Sequence, residues 1–190
     1  MHYHHVPVMV EEVLYYLDCK PGQTFVDGTL GGGGHTKVIL RQIEPNGFLV
    51  GIDKDPDAIA STGKSLRGFT SQLRLLHADF ADIGRIRTEL GGRSADGILL
   101  DLGLSLYHLA GSGRGFTFKR DEPLDMRMNP KEDMTARDVV NEFTQDRLAA
   151  IISDYGEERW AGRIAAFIAK ARRKEPIVSS LALAEIVKQA

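Results

Sequence analysis

Cysteine is nearly absent from this sequence: Cys19 is alone among 190 residues, so no intrachain disulfide forms, which fits a reducing compartment. Positive charge is not in excess either. The formal net charge is -2, so a contact with nucleic acid has to come from a local patch rather than from bulk charge. No apolar run reaches the length of a membrane span, and Met1 to Pro7 lacks the basic-then-apolar order of a secretory leader. The reading is a cytoplasmic protein with no membrane contact. His2, His4 and Cys19 do not have metal-ligand spacing, so no metal is expected. The second half contains no strand pattern and the chain no internal repeat beyond a regular strand interval.

That interval organises the first half. Four short apolar runs, Thr24–Asp27, Phe48–Asp53, Leu73–His77 and Gly97–Asp101, start 24, 25 and 24 residues apart. The spacing accommodates strand, turn, helix, turn and strand, and predicts a parallel sheet with crossover helices. An amphipathic helix carrying Val10, Val13, Leu14 and Leu17 precedes the first run. Helices are expected from about Gly34 to Ile43, after an Asp55 cap with Pro56 in the first turn, and from about Ala81 to Leu90. Leu102 to Asn129 has no clean period and reads as an ordered loop on which Phe116, Phe118, Leu124, Met126 and Met128 pack. Thr135 and Thr144 start short helices. A longer one is expected over Glu157 to Lys174, with Trp160, Ile164, Phe167, Ile168 and Ala171 on one face. Ser179 or Ser180 starts the last.

Chemistry concentrates where the strands end. Asp27-Gly28-Thr29-Leu30-Gly31-Gly32-Gly33-Gly34-His35-Thr36 follows the first strand and opens a helix. Glycines let the backbone turn sharply and approach a ligand, and the helix N-terminus presents free N–H groups. Asp53 ends the second strand, 26 residues after Asp27, where nucleotide-binding βαβ units place an acid for ribose hydroxyls. Asp79-Phe80 ends the third strand and suits an adenine, carboxylate to its amino edge and ring to its face. Asp101 ends the fourth. All four therefore sit at the carboxyl ends of parallel strands, where open α/β sheets bind ligands. A dinucleotide dehydrogenase would have glycine close behind the strand. Asp27 stands there instead, which suits a ligand with a positive centre and no pyrophosphate, such as S-adenosylmethionine.

The chain resembles the bacterial 16S ribosomal RNA N4-cytosine methyltransferase H family. The matching segments are HVPVMVEEV (His5–Val13), DGTLGGGGHT (Asp27–Thr36), GIDKDPDAI (Gly51–Ile59), HADF (His77–Phe80), DGILLDLGLS (Asp96–Ser105), RGFTF (Arg114–Phe118), PLDMRM (Pro123–Met128) and YGEERWAGRIA (Tyr155–Ala165). The resemblance implies a Rossmann-like α/β methyltransferase with a parallel sheet and an inserted helical domain. It implies S-adenosylmethionine as donor and the N4 amine of a cytidine in the decoding region of 16S rRNA as acceptor. The small ribosomal subunit would be the partner. Gly33, Gly34, His35, Asp53, Asp79, Phe80 and Asp101 would line the donor site, with Asp101 also the candidate for holding the reacting amine. Arg114, Phe116 and Arg127 are candidate RNA contacts; Lys170 to Lys174 is a basic run whose simpler role is to complement a helix end.

Two departures stand out. The family reads Ser-Ser-Pro-Gln after the fourth strand, with Gln at the donor site; here Ser105-Leu106-Tyr107-His108 places His108 there. Family members also continue into further strands, so an incomplete sheet is expected. The domain expectation is a donor-binding core over 1–104, an active-site loop over 105–134 and a helical domain over 135–190. An unprotected fourth strand would then favour pairing with a second copy or covering by the helices after Thr135. The alternatives are a fragment that binds donor or RNA without turnover, and a DNA amino-methyltransferase.

Overall fold

The computed structural model describes residues 7–190, except the side chains of Leu106 and Ala110. His2, His4 and His5 lie outside the described residues. Two compact units divide the chain, Met1–Ser105 and Leu106–Ala190.

The first unit is an α/β unit. Helix α1 (Val10–Leu17) precedes β1 (Thr24–Asp27), α2 (Gly34–Ile43), β2 (Phe48–Asp53), α3 (Pro56–Ser65), β3 (Leu73–His77), α4 (Ile83–Glu89) and β4 (Gly97–Leu99). The sheet is parallel throughout and ordered β3-β2-β1-β4. The chain winds outward from β1 to β3, then crosses back so that β4 lies on the other side of β1. The strand order thus reverses between β1 and β4, and their carboxyl ends flank the crevice where such sheets take ligands. Successive strand residues point to opposite faces. Accordingly Phe25 and Leu49 pack with Ile39, Leu40 and Ile43 on one side, while Val26 and Val50 pack with Leu76, Ile86 and Leu90 on the other. Asp55 caps α3 by accepting the Asp57 N–H at 3.0 Å, with Pro56 behind it.

β4 ends at Leu99, two residues short of the expected Asp101. Its partner β1 stops at Asp27, paired with Leu99, so there is no neighbour beyond that point to continue the ladder. Among the described residues β4 is an edge of this sheet, and Ile98 is 61% exposed.

The second unit comprises α5 (Leu106–Ala110), α6 (Ala136–Glu142), α7 (Gln145–Gly156), α8 (Ala161–Ala171) and α9 (Ser180–Gln189). Thr135 and Asp138 form a reciprocal capping box, and Thr144 and Ser179 cap α7 and α9. The stretch before α6 belongs to the core of this unit: Leu124 is buried with Val140, Leu148, Ile164, Ala165, Ile168 and Ile177. Its backbone is stitched to the helices by Leu124 N–H to Val178 O (3.0 Å), Ser180 N–H to Glu122 O (2.9 Å) and Arg137 N–H to Leu124 O (2.8 Å). Phe118 and Met126, by contrast, are exposed. The long helix expected from Glu157 starts at Ala161 instead. Glu157 takes a left-handed φ of 50° and closes α7, so Trp160 becomes the N-cap of α8. Its ring is half exposed, off the buried face formed by Ala161, Ile164, Ala165, Ile168 and Ala169.

Candidate functional site

At the end of β1 the Asp27 carboxylate is fully buried. It accepts hydrogen bonds from the Thr36 hydroxyl (2.6 Å) and the Thr29 N–H (3.1 Å). Burial pushes this carboxyl above the usual carboxylate range, against the opposing pull of those two donors and of His35. Thr29 and Thr36 therefore hold the two sides of the glycine turn to one acid.

The turn itself is left-handed at Gly31 (φ 48°) and Gly33 (φ 74°). A Cβ on Gly33 would lie 2.5 Å from Thr62 Cγ2, so both conformation and space require glycine there. The Thr62 hydroxyl donates to Gly31 O at 2.9 Å, and the Gly31 N–H donates to Asp53 Oδ2 at 2.8 Å. Asp53 Oδ1 accepts the Asp55 N–H at 2.8 Å. Asp53 is thus fixed by two backbone donors and half-buried, with lone pairs left on both oxygens for hydroxyl donors.

At the end of β3, Asp79 pairs with Lys54 Nζ at 2.7 Å and accepts the Ala81 N–H at 2.9 Å. The Lys54 contact holds its carboxyl below the ordinary value. Phe80 borders the turn: its Cβ lies 3.1 Å from where a Cβ on Gly28 would stand, and its ring is 36% exposed. Beyond β4, the Asp101 N–H donates to the Thr29 hydroxyl at 2.7 Å, leaving an exposed carboxylate. Asp101 Oδ2 stands 3.7 Å from His35 Nδ1, while His35 Nε2 is 2.8 Å from Val8 O. The fold therefore gathers Gly33, Gly34, His35, Asp53, Asp79, Phe80 and Asp101 about the glycine turn of the first unit.

The remaining predicted site residues belong to the second unit. His108 is buried, its ring 5.2 Å from that of Phe116. Arg114 Nη1 donates to Arg127 O (3.0 Å) and Met128 O (2.7 Å). Arg127 grips Asp125 with two nitrogens, at 2.8 and 2.6 Å, and reaches Glu132 O with the third. Its hydrogen bonds hold the Asp125 carboxyl low. These arginines close a loop on itself; the geometry gives them a structural task before any phosphate contact.

Residues 2–190 match the MraW methylase family. The chain belongs to that family. It is similar to Ribosomal RNA small subunit methyltransferase H of Syntrophotalea carbinolica, with 49% identity over 99% of this chain and 60% of the relative. The same-named protein of Geobacter sulfurreducens is 48% identical over 100% of this chain and 61% of its own length. The chain thus spans about 60% of the length of the curated relatives it matches. Among solved structures, a putative rRNA methylase from Clostridium thermocellum overlaps 43% of this chain and 46% of its own at 25% identity, with a TM-score of 0.38. That overlap is too slight to bear on function.

In this MraW-family chain several residues that build the site carry no motif-like signal of their own. Thr29, Thr36 and Thr62 orient the turn through hydroxyls, and Lys54 takes up Asp79. Thr29 and Thr36 stand inside the glycine-rich segment, and Lys54 directly follows Asp53, so proximity to the motifs was the available clue. Thr62 lies 31 residues from its partner and only the fold brings it there. Among the described residues no helix is long and apolar enough to cross a membrane, and no group of three or more potential metal ligands forms.

Proposed function

We propose that this chain carries the donor-binding core of an S-adenosylmethionine-dependent methyltransferase acting on small-subunit ribosomal RNA, and that the acceptor is the N4 amine of a cytidine in the decoding region. The observation that carries the reading is the placing of Asp53 and Asp101, whose carboxylates keep acceptor capacity beside the glycine turn, with Asp27 buried beneath it and Asp79 paired to Lys54. Asp27, Asp53, Asp79 and Asp101 all stand at strand ends around the glycine turn. A pyrophosphate would meet carboxylates there, whereas a sulfonium with an amino-acid tail and a ribose meets acceptors. The relatives' names support ribosomal RNA as the acceptor class.

S-adenosylmethionine supplies an electrophilic methyl group. Gly33, Gly34 and the opening of α2 would take the donor's amino-acid end, Asp53 its ribose hydroxyls, and Phe80 with Asp79 its adenine. Asp79 is shared with Lys54, so its adenine contact depends on that pair staying in place. The cytosine amine is a poor nucleophile because its lone pair is delocalised into the ring. An acceptor for its N–H orients that lone pair and stabilises the charge developing on nitrogen. Asp101, exposed and anchored through its own N–H, is our candidate for that task. His108, buried against Phe116, is left out of the proposed donor set.

Calorimetry tests the reading. S-adenosylhomocysteine should bind and NAD should not. Asp53→Ala should weaken binding by about 1–3 kcal/mol, because hydroxyls lose a buried acceptor. NAD binding, or donor binding unaffected by Asp53→Ala, overturns it. Methyl transfer to small-subunit particles but not to duplex DNA separates RNA from DNA as acceptor. The exposed edge of β4 supports pairing with a second copy. Sedimentation should show a dimer that Ile98→Lys dissociates, and a monomer at all concentrations refutes the pairing.

A further inference from the structure

Helix α8 contains Arg163 and Lys170 and no acidic residue. With 3.6 residues per turn, Arg163, Phe167 and Lys170 fall along one side of α8, Arg159 and Trp160 stand at its start, and Lys174 lies in the turn that follows Ala171. This side is opposite in character to the buried alanine and isoleucine face. Arg159, Trp160, Arg163, Lys170 and Lys174 are exposed, and none of the four cations forms an ion pair among the described residues.

The indole is the unusual member. Trp160 is the chain's one tryptophan, and the residue is 51% exposed. A single exposed apolar side chain means little. This one has guanidinium carbons on its π system, Arg159 Cζ at 5.4 Å and Arg163 Cζ at 5.9 Å from the ring centroid, and Arg163 also stands 5.8 Å from the Phe167 ring. The Trp160 backbone is held by Glu158, which accepts its N–H at 2.8 Å. That bond also turns the nearest carboxylate onto the backbone. The other carboxylates close by in sequence, Asp154, Glu157 and Glu175, bracket the stripe at its ends rather than interrupting it.

We propose that this side of α8 is a docking stripe for unpaired RNA, with Trp160 stacking on a base and Arg163, Lys170 and Lys174 following the phosphates. The proposal rests on RNA being the substrate class. An aromatic ring flanked by arginines offers a sequence-tolerant stacking surface, and a row of cations tracks a backbone. From Trp160 to Lys170 the row runs about 15 Å at 1.5 Å per residue, room for a few nucleotides. An acidic protein would use the charges and have no need of the indole; duplex nucleic acid keeps its bases stacked away from it.

The native tryptophan reports the contact directly. Titrating the full chain with an unstructured RNA of about ten nucleotides should quench Trp160 emission. Trp160→Ala, followed by anisotropy of labelled RNA, should lose about tenfold in affinity. Arg163→Ala with Lys170→Ala should flatten the salt dependence of log K by about 1.4, at roughly 0.7 per single-strand phosphate contact. Lys188→Ala, which removes a cation paired with Glu185 on α9, should leave it unchanged. RNA binding with unaltered emission, an unchanged slope in the double variant, or equal affinity for a duplex overturns the stripe alone. A chain that binds S-adenosylhomocysteine but no RNA takes down the RNA reading as well, while the donor site stands.

Discussion

The two units hold their candidate site residues differently, although each also contains ion pairs such as Asp79 with Lys54 in the first. In the first, carboxylates at strand ends are held by backbone N–H groups and hydroxyls: Gly31 and Asp55 donate to Asp53, Thr29 and Thr36 to Asp27. Such donors fix an acid in place without neutralising it. In the second, charge meets opposite charge or spends itself on carbonyls, as Arg127 does with Asp125 and Arg114 with the Arg127 and Met128 carbonyls. A residue of the right type at a suggestive position is therefore not equally available in both. Asp53 and Asp101 keep acceptor capacity toward the crevice, while Arg114 and Arg127 are engaged in shaping a loop.

The largest effect that would break this contrast is on the second unit's loop. Gly115 has a φ of 81°, and a Cβ there would stand 2.3 Å from Pro123 O, a backbone atom with no room to yield. Gly115→Ala should cost on the order of 3 kcal/mol, read as a lower urea midpoint in Trp160 emission, which reports the second unit. In the first unit, Gly33→Ala meets only side-chain atoms, of Thr62 and Leu66, and should cost about 1–2 kcal/mol for the left-handed backbone. Circular dichroism follows it. Equal costs would contradict the comparison.

Acid sharpens it. The folded-state value of Asp27 is raised from its ordinary 3.8. The native state then binds the proton more tightly, and stability drains away as pH climbs from that ordinary value through the raised one. Asp125 is lowered by Arg127, so its contribution is present above its ordinary value and disappears as pH falls through the folded one. Stability measured from about pH 3 to 7 should show Asp27→Asn relieving a loss on the alkaline side and Asp125→Asn removing one on the acid side. Parallel pH profiles for the two variants would refute the assignment. The smallest effect belongs to Lys54→Met. Asp79 should titrate closer to its ordinary value by NMR, with a change of only a few-fold in S-adenosylhomocysteine affinity; an unmoved Asp79 would mean that Lys54 is not its partner in solution.

What could be read from the sequence followed the range of the interactions. β1, β2, β3 and α2 agree with their expected bounds because short apolar runs and the glycine turn are local signals. The end of β4 was not legible, since a ladder stops where its neighbour stops. The spacing of Trp160 to Ile164 suits a packed helical face; the left-handed Glu157 that displaces Trp160 from the helix is a conformation without a sequence signature. Arg114 and Arg127 were visible as cations, but not the carbonyls that occupy them.

Gly28 has the last consequence. A Cβ there would lie 2.5 Å from Leu100 Cδ2 and 3.1 Å from Phe80 Cβ, while its N–H donates to Leu99 O at 2.9 Å. The gap at the strand reversal is thus gauged by one hydrogen atom. A methyl at this position acts as a wedge driven between the β1 turn and the segment after β4, with Phe80 on its far side. The graded series Gly28→Ala and Gly28→Ser becomes a molecular feeler gauge for how much widening this gap tolerates before the proposed donor site loses its hold on S-adenosylhomocysteine.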